Sequence, residues 1–549
     1  MTSSVKIINK VVSGGPALPV PGHLNFGQYM IDKLRENSRE DMVALINGET
    51  GHKTTYSKII QDTVNTATGL RKLGVKRGDV LAFCSENRDE YIAAALGAVC
   101  CGATITTTNM QYSKDEMIHV LNISKPSIVL GSESALSQNL KTFSNVASIK
   151  KVIQFNGTPV AKGVIPLSSI IVQANVNEFE ADDVEGWHDT VFILYSSGTT
   201  GLPKGVMLSH LNCLYAAANF ETGKDKGDEY LTMLTLVPWY HAYGLMSTIN
   251  FLAIRKVLVY FANFDPIKYL EAIQEHKVNV LLTVPPLVVF LAKFPLVAEY
   301  DLSSVKAVLC GAAPLTNETI NQAMARLPNC KGIFQAYGMT ETSLAATKDV
   351  DEEDDVRLHK PGSGGFPLRG VKVKVVDIET RQKLGPNQKG EICIKGPVVM
   401  KGYAGNKSAT RDILDNERYL KTGDIGYYDQ DGTFFIVDRL KELIKYKGSQ
   451  VPPATVENVL LQHPGVAECG VVGAPDEKAG ELTTAFVVKK YGVDITEKEI
   501  IEFTNERLSP EKRLYGGVIF VNEIPKNPSG KILRRVLKQQ LHKKKKSRL

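Results

Sequence analysis

The sequence predicts an α/β protein with a large N-terminal domain of α/β layers, a β-rich subdomain and a small α+β C-terminal domain. Three observations lead there. Between about residues 50 and 310, short apolar runs rich in strand formers alternate with amphipathic stretches. After residue 360 the texture becomes apolar–polar alternation punctuated by glycine and proline. Around Asp438 it changes again, into a compact run of strands and helices finishing near Leu541.

Taken in order, "DVLAFCSE", "PSIVLGS", "DTVFILYSS", "NVLLTV" and "VKAVLCGAAP" read as buried strands, with "RDEYIAAALGAVCC" and "PIKYLEAIQEHK" as helices between them. Such alternation builds a largely parallel sheet, and ligands gather at the carboxyl ends of its strands. "GVKVKVVDIETRQKLGPNQKGEICIKG" suits antiparallel strands and hairpins. The stretch beginning "DRLKELIKYKGSQV" opens the last unit, which divides the chain into 1–437 and 438–549. The acidic run Asp349 to Asp355 reads as a solvated loop rather than a metal site.

At 549 residues the chain exceeds what one hydrophobic core organises. Its composition is that of a soluble globular protein. The formal charge is +6, but Lys543, Lys544, Lys545, Lys546 and Arg548 leave a net of only about +1 for the rest, so no nucleic-acid partner is expected. Eight cysteines without a CxxC pair read as thiols in a reducing compartment, with Cys100 and Cys101 packed in a core. "MTSSVKIINKVVSGG" lacks the apolar stretch of a secretory signal. "YIAAALGAVCCGATI" is too short to span a bilayer, and "VNVLLTVPPLVVFLA" carries Pro285-Pro286, so no transmembrane segment is expected. Ser547-Arg548-Leu549 is a conservative variant of the C-terminal Ser-Lys-Leu address, which predicts a peroxisomal location and an import receptor as partner.

The chemistry concentrates in "SSGTTGLPKGVMLSH", whose first ten residues hold three glycines, two serines, two threonines and one lysine. Directly after a buried strand, such a loop turns backbone N–H groups inward as an anion cradle, and Lys204 adds a mobile positive charge. The anion it suits is phosphate. It is not a Walker A loop, because Pro203 stands where that pattern needs glycine before Lys204.

Here the sequence resembles the adenylate-forming superfamily of acyl-CoA ligases and insect luciferases, over nearly its whole length. "YSSGTTGLPKGV" looks like the phosphate loop, and "CGAAPL", "QAYGMTETS", "YLKTGDIGYYD", "DRLKELIKYKGSQV" and "IPKNPSGKILRR" match the later motifs in order. The resemblance implies that a carboxylic acid attacks the α-phosphorus of ATP, releasing pyrophosphate and leaving an acyl-adenylate. Catalysis of an attack by one anion on another must be mainly positioning and charge stabilisation.

The resemblance also implies roles. Ser196, Ser197, Gly198, Thr199, Thr200, Gly201 and Lys204 would hold phosphates. Gly311, Ala312, Ala313 and Pro314 after Cys310, with Tyr337 and Gly338, would line adenine. Asp424 would accept from the ribose hydroxyls, supported by Arg439, and Mg²⁺, a cofactor preferring hard oxygen ligands, would sit at Glu341 with Thr340 beside it. Thr340 and Glu341 also read simply as a helix N-cap and first turn. His241 would lie between carboxylate and α-phosphate, and Lys531 would reach from the small domain to bridge the two. Lys441 fits a hinge about which that domain rotates, bringing Lys445 and Gly448 to a channel for the pantetheine arm of CoA.

Within the superfamily the sequence looks closest to the luciferase-like branch. Beetle luciferases typically carry a serine soon after the "TE" motif, where this chain has Leu344, and an arginine in a segment reading "NFETGKDKGDE" here. A leucine supplies apolar surface worth roughly 25 cal/mol per Å² to an alkyl chain and leaves a polar heteroaromatic without a partner. With His241, Tyr243 and Leu245, Leu344 would border the acyl pocket of a medium- to long-chain fatty acid ligase. The competing expectations are a luciferase that oxidises its adenylate with O₂, a coumarate-type aromatic acid ligase, a P-loop ATPase and a non-catalytic nucleotide-binding module.

Overall fold

A computed structural model describes residues 5–37, 42–196, 203–221, 231–313, 315, 317–349, 360–447, 449–526 and 530–546. Among them are four sheets. The first has eight strands, in the order Gly402–Tyr403, Lys204–Ser209, Thr190–Ser196, Thr104–Thr108, Val80–Cys84, Ile128–Gly131, Lys151–Gln154 and Val164–Pro166. From Thr190–Ser196 to Val164–Pro166 the pairings are parallel, while Lys204–Ser209 returns antiparallel and carries Gly402–Tyr403 on its outer edge. The second sheet, of nine strands, is parallel from Val43–Asn47 through Val257–Tyr260, Thr232–Thr235, Val280–Thr283 and Ala307–Cys310 to Ile333–Tyr337.

The strands expected at "DVLAFCSE", "PSIVLGS", "DTVFILYSS", "NVLLTV" and "VKAVLCGAAP" lie in these two sheets, and the expected helices span Asp89–Cys100 and Pro266–Glu275. Helix Asp89–Cys100 is buried from Tyr91 to Cys100, so its apolar run packs into the core that joins the sheets. Pro285 begins the helix Pro285–Lys293, where a missing N–H costs nothing. All eight cysteines are buried free thiols. No helix among the described residues is long and apolar enough to cross a membrane.

The third sheet is antiparallel, in the order Lys6–Ile8, Val11–Ser13, Lys372–Val376, Gly390–Lys395, Leu420–Tyr428 and Phe434–Arg439. Its first two strands come from the N-terminus. In its last hairpin Asp424 stands directly opposite Arg439, so two motifs distant in sequence become cross-strand neighbours. The fourth sheet is built only of residues from Ile444 onward, with its own apolar cluster around Val471, Val487 and Ile500.

One expectation is corrected at its first residue. Asp349 is 4% exposed and its N–H donates to Gln335 O, because it continues from the Thr347–Lys348 strand on the second sheet. The remainder of the acidic run lies outside the described residues.

Asn212, fully buried in helix His210–Glu221, ties the first sheet to the chain leading into its edge strand. Its Nδ2 donates to Pro397 O at 2.6 Å and Val399 O at 3.0 Å, and its Oδ1 accepts from Ser209 N–H at 2.9 Å. Asn212→Ala leaves these groups unsatisfied and is expected to cost about 3 kcal/mol, read as a lower denaturation midpoint of the large domain.

Candidate active site

The candidate site lies where strands of the first two sheets end. Ser196, Thr283, Cys310 and Tyr337 are each the last residue of a strand. Beyond a strand end the backbone is free to bind, which is why clefts in such sheets form there.

Asp424 is the electrostatic centre. Its Oδ2 accepts from Tyr337 Oη at 2.8 Å, and its Oδ1 pairs with Arg439 Nε at 2.8 Å. Burial raises its pKa, and the Arg439 cation, the Tyr337 hydroxyl and Lys531 pull the other way. Tyr337 is itself pushed well above its usual value, by burial first and then by the Asp424 charge, so it remains a neutral donor. Lys531 shares this environment: its pKa is lowered to about 8, by burial first and then by Arg439, while Glu442 and Asp424 favour its charged form. A cation from the last sheet's domain has therefore entered a cleft built by the third sheet and the second.

The turn before Lys531 shows how it is seated. At Gly530, φ is +79°, and a Cβ there would lie 2.4 Å from Pro286 Cγ at the start of helix Pro285–Lys293. Only glycine permits this approach. Three residues beyond Lys531, Arg534 begins the last helix and makes two 2.9 Å bonds to the carboxylate of Glu457, with Glu442 at 3.6 Å. Glu457 is buried and its pKa is raised to about 6, chiefly by burial and against the Arg534 charge. Asp438 spans the other side of the junction: its Oδ2 accepts from Ala454 N–H at 2.9 Å in the first turn of helix Pro453–Leu460. Lys441 lies between, exposed, in the short turn Leu440–Glu442.

Glu341 is 3% exposed in the single 3-10 turn Thr340–Thr342. Thr340 is the first residue inside that turn and Met339 takes the capping position, so the N-cap expected at Thr340 is shifted by one. Glu341 Oε1 accepts from Ser196 Oγ at 2.8 Å and from Tyr403 Oη at 2.9 Å, whereas Oε2 is buried with no hydrogen-bond partner among the described residues. A carboxylate oxygen left over in this way fits a hard divalent cation. Among the described residues no cluster of three His, Cys, Asp or Glu forms a fuller ligand set.

His241 is half-buried at the N-terminal end of helix Ala242–Ala253, and burial of its ring lowers its pKa to about 4, which keeps it neutral at ordinary pH. The carbonyl of the preceding Tyr240 accepts from Thr107 Oγ1 at 2.6 Å, tying this corner to the first sheet. Tyr243 donates to Thr283 O at 3.0 Å, and its ring lies so close to Gly311 that a Cβ there would meet it at 3.0 Å. Ala312 sits at φ +75° and Leu344 at φ +128°, strained positions at the rim of the cleft.

Residues 34–404 match the family described as AMP-binding enzyme, and residues 455–531 match the AMP-binding enzyme C-terminal domain. The chain belongs to that family. It is an adenylate-forming enzyme of the acyl- and aryl-CoA ligase and luciferase type. Luciferin 4-monooxygenase of Nipponoluciola cruciata is 37% identical to it, covering 97% of this chain and 98% of the relative. 4-coumarate–CoA ligase 3 of Arabidopsis thaliana is 39% identical, covering 96% of this chain and 93% of the relative. Among solved structures, ATP-bound MatB from Rhodopseudomonas palustris superposes with a TM-score of 0.83 at 28% identity, covering 94% of this chain and 98% of that one.

Of the residues singled out in this AMP-binding enzyme from sequence, the structure brings Tyr337, Asp424, Arg439 and Lys531 together, and Ser196 with Glu341. Gly338 follows Tyr337, and Ala313 continues the loop after Gly311. Leu245 is fully buried in helix Ala242–Ala253, and Lys445 is exposed on strand Ile444–Tyr446. Ser197, Gly198, Thr199, Thr200, Gly201, Pro314, Gly448 and Ser547-Arg548-Leu549 lie outside the described residues.

Sequence reasoning missed Tyr403. Its hydroxyl donates to Glu341, and Lys204 Nζ stands 5.1 Å from its ring centroid. One side chain thus touches both the phosphate-loop lysine and the candidate metal carboxylate. Its signal was the Gly402-Tyr403 pair following "GEICIKG", which has no local chemical signature. His119 was missed too: its Nε2 lies 3.0 Å from Pro203 O, at the base of the phosphate loop.

The lowered pKa of Lys531 has a measurable sign. In the free enzyme its amine is half deprotonated near pH 8, so its labelling by an acylating reagent, followed by mass spectrometry, rises through pH 8. Ordinary surface lysines rise only near pH 10.

Proposed function

We propose that the chain is an ATP-dependent fatty acyl-CoA ligase for medium- to long-chain acids. The acid's carboxylate oxygen bonds to the α-phosphorus of ATP as the bond to pyrophosphate breaks. The thiolate of CoA then attacks the acyl carbon and AMP leaves. The observation that carries this reading is Lys531 standing in the cleft with Asp424 and Arg439.

In this reading the Lys531 ammonium offsets charge as carboxylate and α-phosphate converge. Neutral His241 donates a hydrogen bond to the same oxygens without drawing the acid away from phosphorus. Asp424, fixed by Tyr337 and Arg439, accepts from the ribose hydroxyls, and the stretch from Gly311 to Pro314 lines the adenine with Tyr337. Ser196, the loop from Ser197 to Gly201 and Lys204 hold the remaining phosphates. Mg²⁺, when bound, neutralises phosphate oxygens, and Glu341 with Thr340 beside it would hold it. For the second step the small domain turns about Lys441 and brings Lys445 and Gly448 toward the thiol. Import into peroxisomes through Ser547-Arg548-Leu549 belongs to the same proposal.

Fatty acid is favoured by the lining of the acyl end. Tyr243 and Leu344 pack against the principal apolar core, with the Tyr243 hydroxyl already committed to Thr283 O, whereas Leu245, expected at the pocket border, is fully buried inside that core and offers the chain no open surface. An alkyl chain gains roughly 25 cal/mol per Å² on such a surface, while polar ring substituents find few partners. An aromatic acid is the second reading, favoured by the coumarate ligase type of the Arabidopsis relative.

Saturated fatty acids, coumarate and luciferin, each supplied with ATP and Mg²⁺, are to be scored for AMP release with and without CoA and for light. Fatty acids are expected to give AMP and an acyl-CoA. Thioester only with coumarate selects the second reading, light with luciferin selects a luciferase, and ADP as product overturns adenylation altogether. Lys531→Ala is expected to slow acyl-adenylate formation on the order of 10²- to 10³-fold with ATP binding retained, read by pyrophosphate release and equilibrium dialysis.

A further inference from the structure

The outer face of the third sheet carries a row of lysines. Cross-strand register sets Lys6 opposite Ser13, Ser13 opposite Lys372 and Lys372 opposite Lys395, so one line of side chains crosses four strands. All three lysines are exposed. Like charges directly opposite one another destabilise a sheet unless a counter-charge lies beside them. The nearby acids do not supply it, because Asp415 is held by Lys374 at 2.6 Å and Glu417 by Lys383 and Lys374 at 3.3 and 3.4 Å. Lys395 turns its Nζ to the carbonyl of Glu417 at 2.9 Å, and Lys6 and Lys372 have no ion-pair partner among the described residues.

Beside the row, the N-terminal hairpin ends in a tight turn, with Asn9 at φ +50° and Lys10 at φ +60°. Alternation along Lys6–Ile8 puts Ile8 on the same face as Lys6, and Ile8 is 62% exposed. Between this hairpin and Lys372, Lys383 and Tyr419 runs a groove of about 690 Å³. Tyr419 adds an aromatic wall, with Lys374 Nζ 4.2 Å and Lys395 Nζ 5.6 Å from its ring centroid. A soluble polyanion would use the lysines and gain nothing from a bare isoleucine. An anionic bilayer uses both, since ammonium groups are drawn to its surface charge while an aliphatic side chain enters the headgroup layer.

We propose that this face docks on anionic phospholipid. Lys6, Lys10, Lys372 and Lys395 meet the lipid phosphates, a headgroup enters the groove, and Ile8 inserts between its neighbours. None of these residues takes part in the adenylation cleft. Docking stands without the fatty acid reading, although an acyl substrate that dissolves in lipid would be met there at its source.

The test is co-sedimentation of the full chain with vesicles of phosphatidylcholine alone and of phosphatidylcholine with phosphatidylserine, at low and high salt. Binding is expected only with phosphatidylserine, and weaker at high salt because the attraction is screened. Lys6→Ala/Lys372→Ala is expected to lower the partition coefficient about 5-fold for each charge removed. Ile8→Ser is expected to lower it about 10-fold, with the denaturation midpoint and adenylation of a soluble acid unchanged in both variants. Wild-type protein that ignores the phosphatidylserine vesicles overturns the proposal, as does a lysine variant that binds them like wild type. Loss in the lysine variant with Ile8→Ser unaffected makes the face a site for soluble polyanions, and the lipid assignment fails.

Discussion

Everything in the cleft depends on keeping a buried carboxylate charged. Asp424 is desolvated, which taken alone would drive it toward its neutral form, and a neutral acid would be a poor acceptor for two hydroxyls. Three groups favour its charged form from three parts of the chain: Arg439 from the opposite strand of its own hairpin, Tyr337 from a parallel strand end, and Lys531 from the small domain. The same contact that stabilises Asp424 places Lys531 where an anionic substrate would meet it. The charge of Asp424 and the docking of the tail domain are therefore coupled electrostatically.

The junction between the domains holds that arrangement through specific contacts. Asp438 accepts a hydrogen bond from the first turn of helix Pro453–Leu460, across the short segment containing Lys441. Gly530 packs against Pro286 without room for a side chain. One of these is a hydrogen bond and the other a close backbone approach, whereas the small domain's own interior is secured by an apolar cluster and the buried Arg534–Glu457 pair. Breaking such a buried pair from within leaves an uncompensated charge, so the domain is better suited to move as a unit than to deform. The surface contacts can be exchanged for others at modest cost.

Much of this was legible in the sequence, because the chemistry sits at the ends of strands whose apolar runs are unmistakable. Ser196, Cys310 and Tyr337 each close such a run, and glycine-containing motifs come directly after them in the sequence. What could not be read were pairings between distant segments. The strands Lys6–Ile8 and Val11–Ser13 are too short to announce themselves and gain their place only by pairing with Lys372–Val376. The burial of Asp349 within an acidic run is likewise decided by the sheet it adjoins. Tyr403 escaped for the same reason: it reaches Glu341 only because its two-residue strand closes a sheet edge by pairing with Lys204–Ser209, far earlier in the chain.

That edge strand carries a consequence of its own. Gly402–Tyr403 pairs with Lys204–Ser209, so the hydroxyl that steadies Glu341 arrives only when the late segment has docked on the early one. A nascent or partly opened chain can possess the phosphate loop and yet lack an oriented carboxylate. The setting of Glu341 is thereby coupled to completion of a distant sheet edge rather than to formation of its own short turn.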